Sequence, residues 1–537
     1  MKASFRASMA WLHTWCGLFA GWILFAVFLT GTVSYYRQEI SAWMRPELHA
    51  GGTRTKALRR AETELARRAP HARTWLIELP DARTPSLRIG WSDRDGPGGF
   101  TLQTLAPVAP AGGEAPIAIR RTVGGDLFYY FHFDLLVLPF RLGRWLVSLC
   151  AVGMLVAILT GVITHRRIFA DFFTLRFAKG GARAWLDAHN ALGVLALPYH
   201  LMITYTGLVT FALMLMPWGI DLTYGGNRAA FQAEMFGQML PGPRADRPHA
   251  LAPLAPMLDA AERHWGGGAI GRIAVFNPDD ATARVLVTRG DTDRIPITRQ
   301  SLLFDGTTGA ELAARDEAGP VEATWATLYG LHLARFAAPL LRGLFFLSGL
   351  VGTAMVATGL ILWTTKRAGR APGRGWRIAA ALNAGTIAGL PVAMLALLWA
   401  NRLIPAALPA REVWEFRSFF GTWLLAFAAA TLLGRPLRWG VPFGVAAVLA
   451  AGLPVLNALT TGAHLGATLR SGAWGVAGVD LTILASAPVF ACLAWMAMRH
   501  GAPSRTVRPP GTEGGRVLPV LAGTRRSAAT EERAEVR

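Results

Sequence analysis

The sequence predicts a mainly α-helical, polytopic membrane protein. The chain of 537 residues is 52% hydrophobic and only 16% charged, and its mean hydropathy is positive, at +0.33. Uninterrupted apolar runs long enough to cross a hydrocarbon core of about 30 Å recur along the chain. Two long polar insertions separate the first four of these runs, and each reads as a helix followed by strands.

Eight membrane spans are predicted. The first apolar run is too long for a cleaved signal peptide and lacks a clear small-residue cleavage site, so we expect it to be retained. With eight spans, the basic residues of the short connections all fall on one side, which the positive-inside rule makes cytoplasmic. Both termini are then cytoplasmic. The expected spans are residues 10–36, 144–165, 189–216, 343–364, 377–400, 416–433, 438–459 and 474–498.

The two polar insertions are expected outside, in the periplasm, as small α+β modules. In the first, a helix over "KALRRAETELARRA" precedes strands at "TWLIEL", "SLRIGW" and "FTLQTL". In the second, a helix over "LAPMLDAAERHW" precedes "GRIAVF", "ARVLVT" and "SLLFDGTTGAEL". The predicted organisation is span one (1–36), module one (37–141), spans two and three (142–217), module two (218–338), span four (339–366), spans five to eight (374–500) and a disordered cytoplasmic tail (501–537).

Charge and cysteine content exclude several classes of function. The formal net charge is +20, concentrated in the cytoplasmic loops and the tail. No basic segment interleaved with aromatic residues is apparent, so no nucleic-acid partner is expected. The three cysteines, Cys16, Cys150 and Cys492, have no paired spacing. A disulfide framework, a CxxC redox pair and a zinc site are therefore not expected.

An internal repeat relates the first and third spans. "HTWCGLFAGWILFAVFLTG" and "HNALGVLALPYHLMITYTG" begin with His13 and His189, and each has glycine four residues on and Thr-Gly seventeen on. The ends of spans two and four also match, as "TGVITHRR" and "TGLILWTTKR". Each half of this region therefore consists of a span, a polar module and a second span. Because both halves start in the cytoplasm, the repeats are parallel and their four spans are expected to form one four-helix bundle.

Six histidines are candidate cofactor ligands. They are His13, His132, His165, His189, His200 and His332. His13, His165 and His189 fall near the cytoplasmic ends of spans and are expected to cluster. On a continuous helix, His200 lies on the same face as His189 and about 16 Å deeper. His132 and His332 occupy comparable places at the outer ends of spans two and four. Ionisable groups inside a membrane are costly and usually functional.

Haem is the cofactor that best fits these histidines. Spans one to four contain almost no Asp or Glu, so a transporter-type proton relay and a di-iron carboxylate site lack their usual groups. Haem iron accepts two axial imidazoles from facing helices, and two haem b groups at different depths would carry electrons across the membrane. The alternative for each residue is an ordinary interfacial histidine. For His165, the adjacent arginines suit a cytoplasmic anchor, and Trp363 occupies its counterpart in the repeat.

These segments resemble the PepSY-associated transmembrane family. The resemblance is carried by "LHTWCGLFAGWILFAVFLTG", "FHFDLLVLPFRLGRWLVSL", "LHLARFAAPLLRGLFFLSGL", "TGVITHRR" and "DAHNALGVLALPYH", and by "LLFDGTTGAEL", which is similar to the closing strand and turn of a PepSY domain. It covers roughly residues 5–370 and leaves spans five to eight outside. The family includes bacterial inner-membrane haem proteins that reduce ferric siderophores.

The resemblance implies an electron path from cytoplasm to periplasm. A cytoplasmic donor or a membrane quinol would reduce an inner haem held among His13, His165 and His189. An outer haem would use His200 with His332 or His132. A ferric siderophore held between the outside modules would be reduced, and its Fe(II) released. Two alternatives stay open: a siderophore or iron transporter, with spans five to eight as the permeation part, and a PepSY-type envelope regulator without redox activity.

Overall fold

The computed structural model describes residues 4–48, 53–81, 83–93, 99–105, 119–164, 181–236, 243–368 and 373–499. Within these ranges the protein is mainly helical, with one antiparallel sheet. In chain order the helices are α1 (Phe5–Ser34), α2 (Arg37–Trp43), α3 (Arg54–Arg68), α4 (Asp126–Asp134), α5 (Leu142–Thr164), α6 (Gly181–Leu195), α7 (Leu197–Thr210), α8 (Ala212–Leu215), α9 (Trp218–Tyr224), α10 (Arg228–Phe236), α11 (Leu254–His264), α12 (Pro320–Leu333), α13 (Pro339–Arg367), α14 (Arg374–Ile387), α15 (Gly389–Leu403), α16 (Arg411–Leu432), α17 (Arg435–Thr460), α18 (Leu465–Arg470) and α19 (Trp474–Arg499). The strands are β1 (Thr74–Glu78), β2 (Arg88–Ser92), β3 (Thr101–Thr104), β4 (Ile270–Phe276), β5 (Arg284–Arg289), β6 (Ser301–Asp305) and β7 (Glu311–Arg315).

The helices identify a multi-pass membrane protein. In the described part of the chain, six helical segments are long and apolar enough to cross a membrane: α1, α5, α13, α14 with α15, α17 and α19. The predicted span 416–433 falls on α16, which is not one of these six segments; its first two turns carry four charged residues, at 411, 412, 415 and 417. The remaining predicted span, 189–216, is not one straight helix.

Helices α6 and α7 cover most of that run; together they are apolar enough to cross a membrane, but they are bent by 70° where they meet. Pro198 lies in the first turn of α7; proline cannot donate a backbone hydrogen bond and disfavours a helical preceding residue, so it favours a helix boundary here. The expectation of a continuous helix from His189 to His200 is therefore wrong. The estimate of a shared face and a 16 Å separation depended on that continuity and therefore loses its basis.

Two short helices fold back against the long spans. α4 packs on α1 and α5, and α12 packs on α7. The chain leaves each of them through a left-handed residue, Leu135 after α4 and Ala334 after α12. These turns let a short helix lie beside the bundle before the next span, α5 or α13, begins. The histidines of α4 and α12 are thereby brought inward.

The strands of both polar insertions join in one seven-stranded sheet with the order β3-β2-β1-β4-β5-β6-β7. The first strand of each insertion forms the central antiparallel pair, with Trp75 opposite Val275. The buried face of the sheet packs on α3 and α11 around residues such as Ile77, Leu65 and Met257. We call the end of the bundle that carries this sheet the sheet end, and the opposite end, where α1 begins, the far end.

The helices from α14 onward pack against the first half of the bundle. The Trp22 indole of α1 donates to the Asn383 side chain of α14 at 2.8 Å. Phe131 of α4 contacts the rings of Phe419 and Trp423 in α16, with ring centres 5.8 and 5.5 Å apart. The C-terminal helices therefore brace α1 and α4.

Candidate functional site

The first histidine pair lies towards the far end and joins α1 to α6. The ring centres of His13 and His189 are 6.1 Å apart, with their planes at 68°. His13 donates from Nδ1 to the Ala157 carbonyl of α5 at 2.9 Å, and His189 donates from Nδ1 to the Met355 carbonyl of α13 at 2.8 Å. Because a carbonyl only accepts, each ring carries its proton on Nδ1 and its lone pair on Nε2.

The second pair lies nearer the sheet end and joins α4 to α12. The ring centres of His132 and His332 are 6.0 Å apart, with their planes at 31°. His132 donates from Nδ1 to the Val27 carbonyl of α1 at 2.8 Å. Nδ1 of His332 lies 3.1 Å from the Thr206 hydroxyl of α7, and the His332 side chain also interacts with the backbone of Ile203 in the same helix. Both rings of this pair are thus anchored by a neighbouring helix, as in the first pair.

The two halves of the chain supply equivalent groups to these pairs. Each pair takes one histidine from each half, and each ring is held through Nδ1 by a helix of its own half. The equivalent positions are His13 and His189, Val27 and Ile203 (both 176 residues apart, from 189 − 13 and 203 − 27), Ala157 and Met355 (198 apart, from 355 − 157), and His132 and His332 (200 apart, from 332 − 132).

A cavity of about 490 Å³ extends from the first pair into the bundle. Its volume is in the range of small-molecule and cofactor sites. The lining is mostly apolar, and Lys366 and Arg367, at the end of α13, border it at the far end. Among the described residues, no three His, Cys, Asp or Glu side chains come together as metal ligands. The arrangement is therefore one of paired imidazoles around apolar space.

A glycine faces each paired histidine. A Cβ atom added at Gly31 would lie 2.5 Å from Nδ1 of His132, and one added at Gly207 would lie 3.0 Å from the His332 ring. In the first pair, the corresponding approaches are 3.2 Å between Gly161 and His13 and 3.0 Å between Gly359 and His189. Real Cβ atoms rarely come so close to another heavy atom, so these rings occupy space that only glycine leaves open.

His200 lies in the wall of the cavity and belongs to neither pair. Its side chain is 1% exposed, and its ring centre is 6.2 Å from that of Phe28. Within the described residues, neither ring nitrogen makes a hydrogen bond of standard geometry. The resemblance implied that His200 binds the outer haem together with His332 or His132. The structure instead places His332 against His132, because α12 and α4 fold back onto the bundle. His165, the remaining candidate, lies outside the described residues.

The pairing of His132 with His332 was not foreseen from the sequence. Both residues were recognised as counterparts in the repeat, but each was considered as a partner for His200. The register of the internal repeat contained a signal for this pairing. His13 and His189, also counterparts, form the other pair, so the same rule of one histidine from each half applies to both levels.

Comparison with known proteins identifies the family. Residues 10–366 match the family described as PepSY-associated TM region. The match runs from α1 to α13 and includes both histidine pairs, whereas the helices from α14 onward lie beyond it. The chain is also similar to a protein of Pseudomonas aeruginosa PAO1 named "Uncharacterized protein PA4219", with 30% identity over 410 residues that cover 72% of this chain and 98% of that protein. The chain therefore belongs to the PepSY-associated TM region family.

Proposed function

We propose that this protein is a b-type haem protein of the bacterial inner membrane that moves electrons from the cytoplasm to the periplasm and reduces a ferric siderophore, releasing Fe(II). The observation that carries the proposal is the presence of two histidine pairs with matched anchoring at two depths. Val27, which holds the second pair, is fourteen residues beyond His13 on α1, or about 21 Å along the helix. Two sites stacked in this way suit electron transfer across a bilayer.

The pairs fit the axial ligands of haem. One metal ion bound by a nitrogen of each imidazole, with metal–nitrogen bonds of about 2.1 Å, would hold the two ring centres about 6.5 Å apart. The observed separations are 6.1 and 6.0 Å. The proposed ligands are His13 with His189, and His132 with His332. A haem bound by each pair supplies a reversible one-electron carrier whose potential the surrounding protein tunes.

The chain's own residues orient the ligands. A hydrogen bond from Nδ1 to a backbone carbonyl fixes the tautomer and the ring orientation and makes Nε2 a better donor to a metal. The glycines facing the rings let the helices stand close, and the apolar lining excludes water. His200, which is buried, lines the cavity next to the first pair.

The charge distribution supports the orientation. Arg6, Lys366 and Arg367 lie at the far-end termini of α1 and α13. Basic residues close to span ends are retained in the cytoplasm, so the far end is assigned to the cytoplasm and the sheet to the periplasm. Electrons would then enter from a cytoplasmic donor or a membrane quinol and leave beside the sheet. The matching sequence offsets between equivalent residues of the two halves also support two parallel repeats, each contributing one PepSY-like module to the sheet.

The absorbance spectrum of the purified full-length protein tests the proposal. We expect b-type bands typical of bis-imidazole haem that sharpen on reduction, with two haems per chain. Under anaerobic conditions, adding a ferric siderophore to the reduced protein should reoxidise the haem and yield Fe(II), detected by a chromogenic Fe(II) chelator. A colourless protein after expression with adequate haem would contradict the proposal and favour the transporter or the envelope regulator, neither of which needs haem.

Replacing Gly31 by alanine tests the close approach of α1 to the second pair. The new methyl group would lie 2.5 Å from Nδ1 of His132, so we expect the ring to move and the second haem to be bound more weakly, with the first haem retained. Haem content per chain measures this. Gly343→Ala is the matched control, because a Cβ at that position of α13 has no atom within 4 Å. Equal haem content in the two variants would show that the close approach of Gly31 to His132 is not needed for haem binding.

A further inference from the structure

Two tyrosines repeat the symmetry of the second histidine pair. Tyr129 and Tyr329 stand three residues before His132 and His332 on α4 and α12. Three residues are nearly one helical turn, so each phenol lies about 4.5 Å towards the sheet end from its histidine and on the same side of its helix. The two tyrosines are 200 residues apart (329 − 129), the same offset as the histidines.

The two phenols form a cluster with two arginines. The Arg37 guanidinium lies over the Tyr129 ring, 4.3 Å from its centre. The pKa of Tyr329 is raised, mainly by burial and then by the neighbouring Tyr129. Its hydroxyl therefore keeps its proton at neutral pH and can donate a hydrogen bond. Arg335 interacts electrostatically with both tyrosines and with Asp291, whose carboxylate is 2.5 Å away. Trp325 stacks on Tyr329, with ring centres 4.8 Å apart.

The cluster is partly exposed and is rich in hydrogen-bond donors. Both tyrosines are half-buried, and the side chains of Arg37 and Arg335 are 28% and 35% exposed. The contact of Arg37 with Asp126, at 3.8 Å, is too long for a hydrogen bond. Guanidinium and phenol groups both donate hydrogen bonds to oxygen anions, and such charge-assisted bonds are the strong ones.

We propose that Tyr129, Tyr329, Arg37 and Arg335 bind anionic oxygen atoms, carboxylate or phenolate, directly on the sheet side of the second histidine pair. The inference rests on the proposed function, since that function gives the site its purpose. The same chemistry has two possible sources. One is the carboxylate groups of a haem held by His132 and His332, and the other is the oxygen ligands of a ferric chelate arriving from the sheet side.

The test compares Arg37→Gln and the double variant Tyr129→Phe/Tyr329→Phe with the full-length wild type. The phenylalanines keep both rings and remove only the hydroxyls. Tyr130→Phe is the matched control, because Tyr130 is the next residue on α4 but is 48% exposed. One arm measures haem content and the reductive titration of the second haem, without any chelate. The other arm measures binding of gallium(III) tris-catecholate, a redox-inert trianion, by calorimetry.

The two arms separate the sources. If the site holds a chelate, the variants bind the gallium complex about tenfold more weakly, as expected for the loss of a charge-assisted hydrogen bond, and both haems titrate normally. If the site holds haem carboxylates, the second haem titrates at a shifted potential or is partly lost, while gallium binding is unchanged. Variants that match Tyr130→Phe in both arms overturn the site. If the wild-type protein contains no haem, the proposed function is contradicted, but binding of the gallium complex still tests the anion site. If the wild-type protein contains no haem and also fails to bind the gallium complex, the proposed function and the anion site are both overturned.

Discussion

Replacing His13 or His189 by alanine is expected to remove one haem, the same one in both variants, and to leave the other in place. In the proposed site the two rings, with centres 6.1 Å apart, would both bind the same haem, so loss of either would leave that haem with a single imidazole. The haem content per chain, measured as the pyridine haemochrome, should fall from two to about one. Transmembrane electron transfer to a ferric chelate should be abolished.

The second pair provides the complementary result. His132→Ala and His332→Ala should each remove the other haem, so the residual spectra of the four variants fall into two classes defined by the pairs. His249→Ala, at an exposed position before α11, is the matched control and should retain both haems. His200→Ala should also retain both, because His200 belongs to neither pair. Different residual spectra for His13→Ala and His189→Ala would refute the pairing.

Much of the first site was predictable because it depends on local register. The spacing from histidine to the first glycine is the same in α1 and α6, and a helix converts equal spacing into equal position. The position of His200 was predicted wrongly because the apolar run 189–216 has the length of one straight span. In the structure the helix bends near Pro198. Hydropathy reports the length of an apolar run but not its straightness.

The repeat register pointed to the pairing of His132 with His332, but the packing that brings them together is tertiary and is not contained in a local pattern. The turn through Ala334 brings α12 back onto α7, and only then does His332 reach His132. The central pairing of β1 with β4 is similar in kind. The alternation of each strand was recognisable, but its partner was not. The two strands are about 200 residues apart in the sequence, and their pairing depends on how the two halves of the bundle meet.

The C-terminal helices hold the second site through a buried carboxylate. Glu415 of α16 is fully buried and accepts hydrogen bonds from the Thr122 hydroxyl at 2.6 Å, the Val123 amide at 2.9 Å and the Asn401 side chain at 2.7 Å. It also pairs with the fully buried Arg411. Thr122 and Val123 belong to the segment that leads directly into α4, which carries His132. The carboxylate therefore joins helices outside the matched family region to the second histidine pair.

Glu415→Ala is accordingly expected to lower the free energy of unfolding by about 3–5 kcal/mol, because it leaves the buried Arg411 charge without its partner. The second haem should be lost at lower denaturant concentration than the first, since α4 is released while His13 and His189 keep their anchors on α5 and α13. Haem absorbance followed through chemical unfolding measures both effects. Glu412→Ala is the matched control: its ion pair with Arg121, whose side chain is 76% exposed, contributes about 0–1 kcal/mol. If both haems were released together from Glu415→Ala, the C-terminal helices would stabilise the bundle as a whole rather than the second site.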